Sequence, residues 1–191
     1  MNLQKSLFRD IAVSLFVLTS TIMLSQKPAD NSNFNKFLDN YYEDGLLLNP
    51  LTATQRGDNR YNDLFPNDIA KPYLKKQHDY TIMYQKQIAS FDRKKLNSFD
   101  KISFDIVNLQ IKQALERERF NLEYIPFTQF RGYPSTLPSL GSGKSFQPFK
   151  TVKDYENWLK RINDFSIWAD TAIANFNKGI AIKMVLPKAL V

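Results

Sequence analysis

The sequence predicts an all-α protein, a helical bundle or array interrupted by one ordered loop rich in proline and glycine. Three observations predict it. Apolar residues recur at i, i+3, i+4 and i+7 through most of the chain beyond residue 33, and helix-starting and helix-stopping residues fall where those runs begin and end. No segment alternates apolar and polar residues as a strand would, and no internal repeat is visible.

The elements follow in order. Phe34, Phe37, Leu38, Tyr41 and Tyr42 make one apolar stripe behind the polar stretch Asp30 to Asn33, which predicts a first helix over 33–47. Asn49 is placed to cap a short second helix with Pro50 at its first position, closing at Gly57; Asp58 to Asn67 is then a polar turn region. A third helix is expected over 69–91. Its two arcs differ: Lys71, Lys75, Asp79 and Lys86 share one, and Tyr73, Tyr80, Tyr84, Ile88 and Phe91 the other. Ser98 can cap a fourth helix running to about Leu122. Ile102, Ile106, Leu109 and Gln113 line its apolar face, and Phe99, Val107, Ile111, Ala114 and Leu115 widen it. Arg93 to Asn97 is the turn of an antiparallel hairpin between these two long helices.

From Ile125 to Pro148 the pattern changes. Pro126, Pro134, Pro138 and Pro148, with Gly132, Gly141 and Gly143, forbid a continuous helix, yet Phe127, Phe130, Tyr133, Leu137, Leu140 and Phe146 are too apolar for a free linker. The expectation is an ordered crossing loop. Thr151 with Asp154 reads as a capping box opening a helix on Val152, Tyr155, Trp158, Leu159 and Ile162. Phe165, Trp168, Ala172, Ile173 and Phe176 predict a further helix, with Gly179 placed to end it. The apolar run Ile180 to Leu186 is broken by Lys183, and Pro187 reads as the first residue of another helix; the expectation is a chain cut short within a larger fold. Docking of this segment on the bundle is the other reading.

Before these elements, Lys5 and Arg9 form a positive head and Ile11 to Leu24 an apolar run of 14 residues. A spanning helix needs roughly 20, so residues 1–26 read as a secretory signal cleaved near residues 24–27, in a protein exported to the periplasm or beyond the cell. An uncleaved anchor is the alternative, because no small-x-small triplet marks the cleavage point. On this reading the membrane is met only through the signal segment, and residues 27–191 are the mature chain.

Composition excludes several chemistries. The 191 residues hold no cysteine and one histidine, so no disulfide, thiolate metal site, thiol nucleophile or multi-histidine site can be built. The formal charge is +7, falling to about +6 without residues 1–26. Its excess lies between Lys71 and Lys95 on the outward arc of the third helix, a solvated face with no nucleic-acid recognition pattern, so no nucleic-acid partner is expected. His78 sits at the edge of the apolar arc near Leu74 and Ile82 and reads as a partly buried boundary residue. Gly141-Ser142-Gly143-Lys144-Ser145 fails as a phosphate loop because position 138 is proline and no strand precedes it. Asp100, Asp105, Glu116 and Glu118 read as helix-surface charges, and no catalytic, cofactor-binding or metal-binding set can be defended.

Taken in order, Phe34-Asn35-Lys36-Phe37 with Tyr41-Tyr42, Asn49-Pro50-Leu51-Thr52-Ala53-Thr54 leading to Gly57-Asp58, and Tyr61-Asn62-Asp63 resemble the opening of the bacterial family catalogued as domain of unknown function 885. Ser103-Phe104-Asp105-Ile106, Pro126-Phe127-Thr128-Gln129, Phe149 to Leu159, Arg161-Ile162 and Gly179 through Lys188 extend the resemblance over essentially all of the mature chain. Lys183 stands where the family often has glycine. The resemblance implies an exported, mostly helical protein similar to zinc metallopeptidases of the His-Glu-x-x-His type, of which this chain is an N-terminal part. The zinc and its motif belong to the longer family members; no His-Glu pair occurs here, so this chain alone is expected to be inactive. It also implies a peptide substrate for a longer form and places Gln129, Arg131 and Tyr133 as candidate cleft-lining residues. A small exported helical binding protein without catalysis is the alternative. The isolated chain is expected to self-associate through apolar surface around Phe176, Ile180 and Val185.

Overall fold

A computed structural model describes residues 31–188; the signal-like segment lies outside them. Six α-helices account for most of this span: α1 Ser32–Leu48, α2 Pro50–Gln55, α3 Lys71–Ile88, α4 Ser98–Arg117, α5 Tyr133–Gly141 and α6 Val152–Ala181. The fold is all-α, and the only β-type pairing among the described residues is the isolated bridge between Thr128 and Arg131.

Helices α1, α3 and α4 form one layer around an aromatic core. Phe34 and Phe37 from α1, Tyr84 and Ile88 from α3, and Val107 and Ile111 from α4 are buried together, with Leu96 of the connecting turn. The rings meet edge-on or stacked, Phe34 with Phe91 at 5.2 Å and Tyr41 with Tyr84 at 5.1 Å between centroids, geometries that add to area burial. The α3–α4 hairpin is antiparallel, as its turn predicts. His78 on α3 reaches Glu118 just past the end of α4, and Arg93 in the turn reaches Asp105 near the start of α4.

The caps differ from expectation in two places. Asn97, in extended conformation, caps α4 by accepting from the Asp100 amide at 2.9 Å, and Ser98 is the first helical residue. Asparagine is as good a cap as serine, and its amide also donates to Asp100 Oδ2, which serine cannot reach to do. Asn49 occupies the cap position of α2 with Pro50 at the first turn, but its side chain donates backwards to the Gly45 carbonyl at 3.0 Å, closing α1. Gly57 follows with φ +82°, a left-handed turn that ends the segment.

The proline-rich segment contains α5. Pro134 sits in the first turn, where no amide donor is needed, and Pro138 removes only one internal bond from a nine-residue helix. Gly132 makes the turn into it: at φ +129° an added Cβ would lie 2.4 Å from Phe127 Cβ. Two sequence-predicted helices merge into α6, 30 residues long, because nothing at Asn163-Asp164 breaks the backbone ladder. The Thr151–Asp154 capping box opens it as expected. Gly179 does not end it. Gly179 lies inside the helix, where a Cβ would come within 2.9 Å of both Met184 O and Tyr124 O, and Lys183 at φ +62° makes the terminal left-handed turn. Met184 N–H bonds Gly179 O at 2.8 Å and Lys183 N–H bonds Ile180 O at 3.1 Å, a Schellman closure built on a lysine. The helix expected from Pro187 onward falls at the edge of the described residues and beyond it.

A second core, Leu51, Phe65, Leu137, Leu140, Trp168 and Ala172, joins α2, the 58–70 segment, α5 and α6. The apolar face of α4 divides. Val107 and Ile111 turn inward, whereas Phe99, Ile102, Ile106 and Leu109, read as one continuous apolar face, are 78, 59, 50 and 55% exposed. Among the described residues no helix is long and apolar enough to cross a membrane.

Candidate functional site behind the proline-rich loop

The inner face of α6 carries its polar residues at intervals of seven: Arg161, Trp168 and Asn175 are all buried. Each takes hold of the 58–70 segment. Arg161 Nε donates to Leu64 O at 3.1 Å and Nη2 to Tyr61 O at 2.9 Å; Trp168 Nε1 donates to Asp68 Oδ1 at 2.9 Å; Asn175 Nδ2 donates to Ile69 O at 3.0 Å. Asn67 Nδ2 to Thr171 Oγ1 at 2.7 Å and Lys160 Nζ to Asp63 Oδ2 at 2.7 Å complete the row. A segment whose only regular structure is the short 3₁₀ turn Asn59–Tyr61 is thereby fixed along about four turns of helix.

Arg161 is 0% exposed and has no carboxylate against its guanidinium. Its remaining contacts are to neutral oxygens, Thr54 Oγ1 at 2.7 Å, Pro50 O at 3.5 Å and Gln147 Oε1. Burial brings its pKa down to about 10, partly offset by the charge of Asp63, so it remains a cation at neutral pH. The Thr54 hydroxyl that accepts from Arg161 in turn donates to Asn62 Oδ1 at 2.7 Å. One side chain thus ties α6 to α2, to the polar turn and to the end of the proline-rich loop.

Asp68 is the second unusual charge. Its two oxygens accept from Trp168 and from the Tyr133 hydroxyl at 2.8 Å, beneath the rings of Phe65, Phe165 and Trp168. Burial raises its pKa and outweighs both donors. Burial first, then the neighbouring Asp68 charge, pushes the Tyr133 and Tyr73 phenols up as well. Both carboxylate oxygens are engaged, so Asp68 positions Tyr133 and Trp168 rather than facing a substrate.

The three residues placed in the loop by the resemblance separate here. Gln129 and Arg131 are exposed at the tip of the turn closed by Thr128 N–H to Arg131 O at 2.9 Å, beside Phe130, which is 82% exposed. Tyr133 turns inward to Asp68. In the sequence Arg161 enters only as part of the Arg161-Ile162 landmark, with no role assigned, and Asp68 not at all. An arginine on the line of Trp168 and Asn175 was the available signal for the first; nothing local marks the second.

A cleft of about 380 Å³ opens on the other layer, between α1, α2 and the α3–α4 hairpin. Tyr41, Tyr42, Asn49, Arg56, Gln77 and Gln110 give it a mixed aromatic and amide wall, with Arg56 5.4 Å above the Tyr42 ring. None of its lining residues is Asp, Glu or His, so it offers binding contacts and no acid–base pair. His78, expected to be partly buried, is exposed because its Nδ1 reaches outward to Glu118 Oε2 at 2.8 Å. Among the described residues no three His, Cys, Asp or Glu side chains converge as metal ligands. The single His–Glu contact is not a zinc donor set, and the residues present do not fit that metal.

Residues 50–191 match the family described as "Bacterial protein of unknown function (DUF885)", and the chain belongs to that family. No curated protein and no solved structure matches it.

Proposed function

We propose that this chain is the N-terminal helical scaffold of an exported zinc-metallopeptidase-like protein, with the metal motif carried by residues other than these. The family match over residues 50–191 carries the reading, because family membership is what links this helical array to that resemblance. The outward face of α4 supports it: Phe99, Ile102, Ile106 and Leu109 form an apolar row of the kind further polypeptide covers. In this reading the loop tip with Gln129 and Arg131 borders the peptide-binding cleft, Tyr133 braces it from behind through Asp68, and the chain alone is inactive.

The second reading, a small exported helical binding protein, is favoured by the cleft beneath Arg56, which is large enough for a small ligand. The intact mass of the protein from its native host, captured by an antibody to residues 151–178, separates the two. A species several times heavier supports the scaffold reading; a species at the mass of the signal-cleaved chain overturns it.

A further inference from the structure

The outer side of α6 carries an apolar line that nothing among the described residues covers. Val152, Leu159, Ser166, Ile173 and Ile180 recur every seven residues, and all five are exposed, Val152 at 77%, Leu159 at 60%, Ile173 at 62% and Ile180 at 63%. A second line lies three residues after each of the first four: Tyr155 and Ile162 are exposed, Ala169 and Phe176 half-buried. Alternating steps of three and four over four heptads are the spacing of a coiled-coil seam, so what fits this face is another α-helix.

We infer that the face pairs with the same face of a second copy, antiparallel. The complementarity lies in the sequence of α6 itself. Reversed and set against itself, it gives layers of Tyr155 on Ile180, Leu159 on Phe176, Ile162 on Ile173 and Ser166 on Ala169, each occurring twice about the two-fold axis. Large side chains meet toward both ends and small ones at the centre, where the helices approach most closely. No charge enters these four layers; the next position out sets Val152 against Lys183, just past the end of α6. At its open edge the antiparallel arrangement sets Glu156 beside Asn177 and Asp170 beside Asn163, so no like charges meet there. The strip runs about 42 Å and is one helix of 10–12 Å wide, on the order of 900 Å² for the two copies, near the roughly 1,000 Å² that a specific interface needs. The dimer is therefore a weak one. It gives the expected self-association a defined surface on α6, apart from Val185, and it does not depend on the peptidase reading.

The absence of cysteine makes the register directly testable on the full chain. Ile162→Cys and Ile173→Cys are prepared separately, oxidised alone and oxidised as a mixture. Antiparallel pairing predicts a disulfide dimer only in the mixture. Each variant linking to itself would indicate a parallel pair, and no linkage in any sample would indicate an uncovered or differently covered face; either overturns the proposal. In sedimentation, Ile173→Glu shifts the chain to monomer with its thermal transition retained, while Ile167→Glu, exposed on α6 beside the seam, leaves the dimer intact. Equal effects of the two would also overturn it. A heavy or light native mass does not enter this test.

Discussion

The two cores are built by different rules. The first, around Phe34, Phe37 and Tyr84, is a cluster of rings drawn from three helices; its stability comes from area removed from water and from ring geometry. The second, around Trp168, is threaded by polar contacts between α6 and a loop that has little regular structure of its own. The first depends mainly on filling the space, although Tyr84 also donates to Asp44 and Tyr80 to the Tyr41 carbonyl, and the second requires particular donors at particular positions. Arg161→Ala is expected to break the second core most severely. It leaves Leu64 O, Tyr61 O, Thr54 Oγ1 and Gln147 Oε1 without their shared donor, a loss of about 3–5 kcal/mol by analogy with broken buried polar networks. Arg161→Lys keeps the charge but not the fork and is expected to recover less than half. Denaturant midpoints measure both. Phe37→Ala should cost about 3–5 kcal/mol in the first core, while Phe37→Leu should recover most of it. If Lys restored position 161 as well as Leu restores position 37, the distinction between the cores would fail.

Two smaller changes sharpen the polar side of the contrast. Tyr133→Phe deprives Asp68 Oδ2 of its donor with little change in volume, and a destabilisation of about 1–3 kcal/mol at neutral pH is expected. Asp68→Asn acts mainly through pH. Burial raises the Asp68 pKa above its ordinary value of 3.8, so the folded chain binds that proton more readily than the unfolded chain. The contribution is complete below that value and is lost as pH rises through the folded pKa. The asparagine carries no such term. Relative to wild type, Asp68→Asn should gain stability as pH rises above the ordinary carboxylate range, its amide meeting Trp168 Nε1 with oxygen and the Tyr133 hydroxyl with nitrogen. Asp63 runs the opposite way: its hydrogen bond to Lys160 lowers its pKa, and its contribution is lost as pH falls. Parallel stability curves for wild type and Asp68→Asn would disprove the assignment.

The same contrast explains what the sequence disclosed. Residues of the first core were legible because helical spacing alone aligns Phe34 with Phe37 and Tyr84 with Ile88. On α4 that rule also brought Ile102, Ile106 and Leu109 into the apolar face; periodicity identifies such a face without saying whether anything covers it. In the second core helical spacing also marks Trp168 with Ala172, but its polar contacts were hidden because they join residues about a hundred positions apart, Asp68 with Trp168 and Tyr61 with Arg161, and no local pattern records them. Helix α5 was hidden for another reason: Pro134 stands in a first turn, where proline is tolerated, and Pro138, inside the helix, removes one bond from a short ladder. Tyr133 was placed in the right loop, but its inward turn follows from Gly132 at φ +129°, a backbone choice that composition does not reveal.

The smallest effect is expected where a polar contact is neither buried nor shared. His78 and Glu118 join the far end of the α3–α4 hairpin with side chains 48 and 40% exposed, so water competes for both groups. Glu118→Gln should change stability by no more than about 0.5 kcal/mol, and added salt should erase the difference. Arg161 has contacts of similar length, so bond distance cannot account for the gap between the two substitutions. A loss at Glu118 approaching that at Arg161 would mean that the α3–α4 hairpin, like the loop on α6, is held by its polar contacts, and that the rings beneath it contribute less than their burial implies.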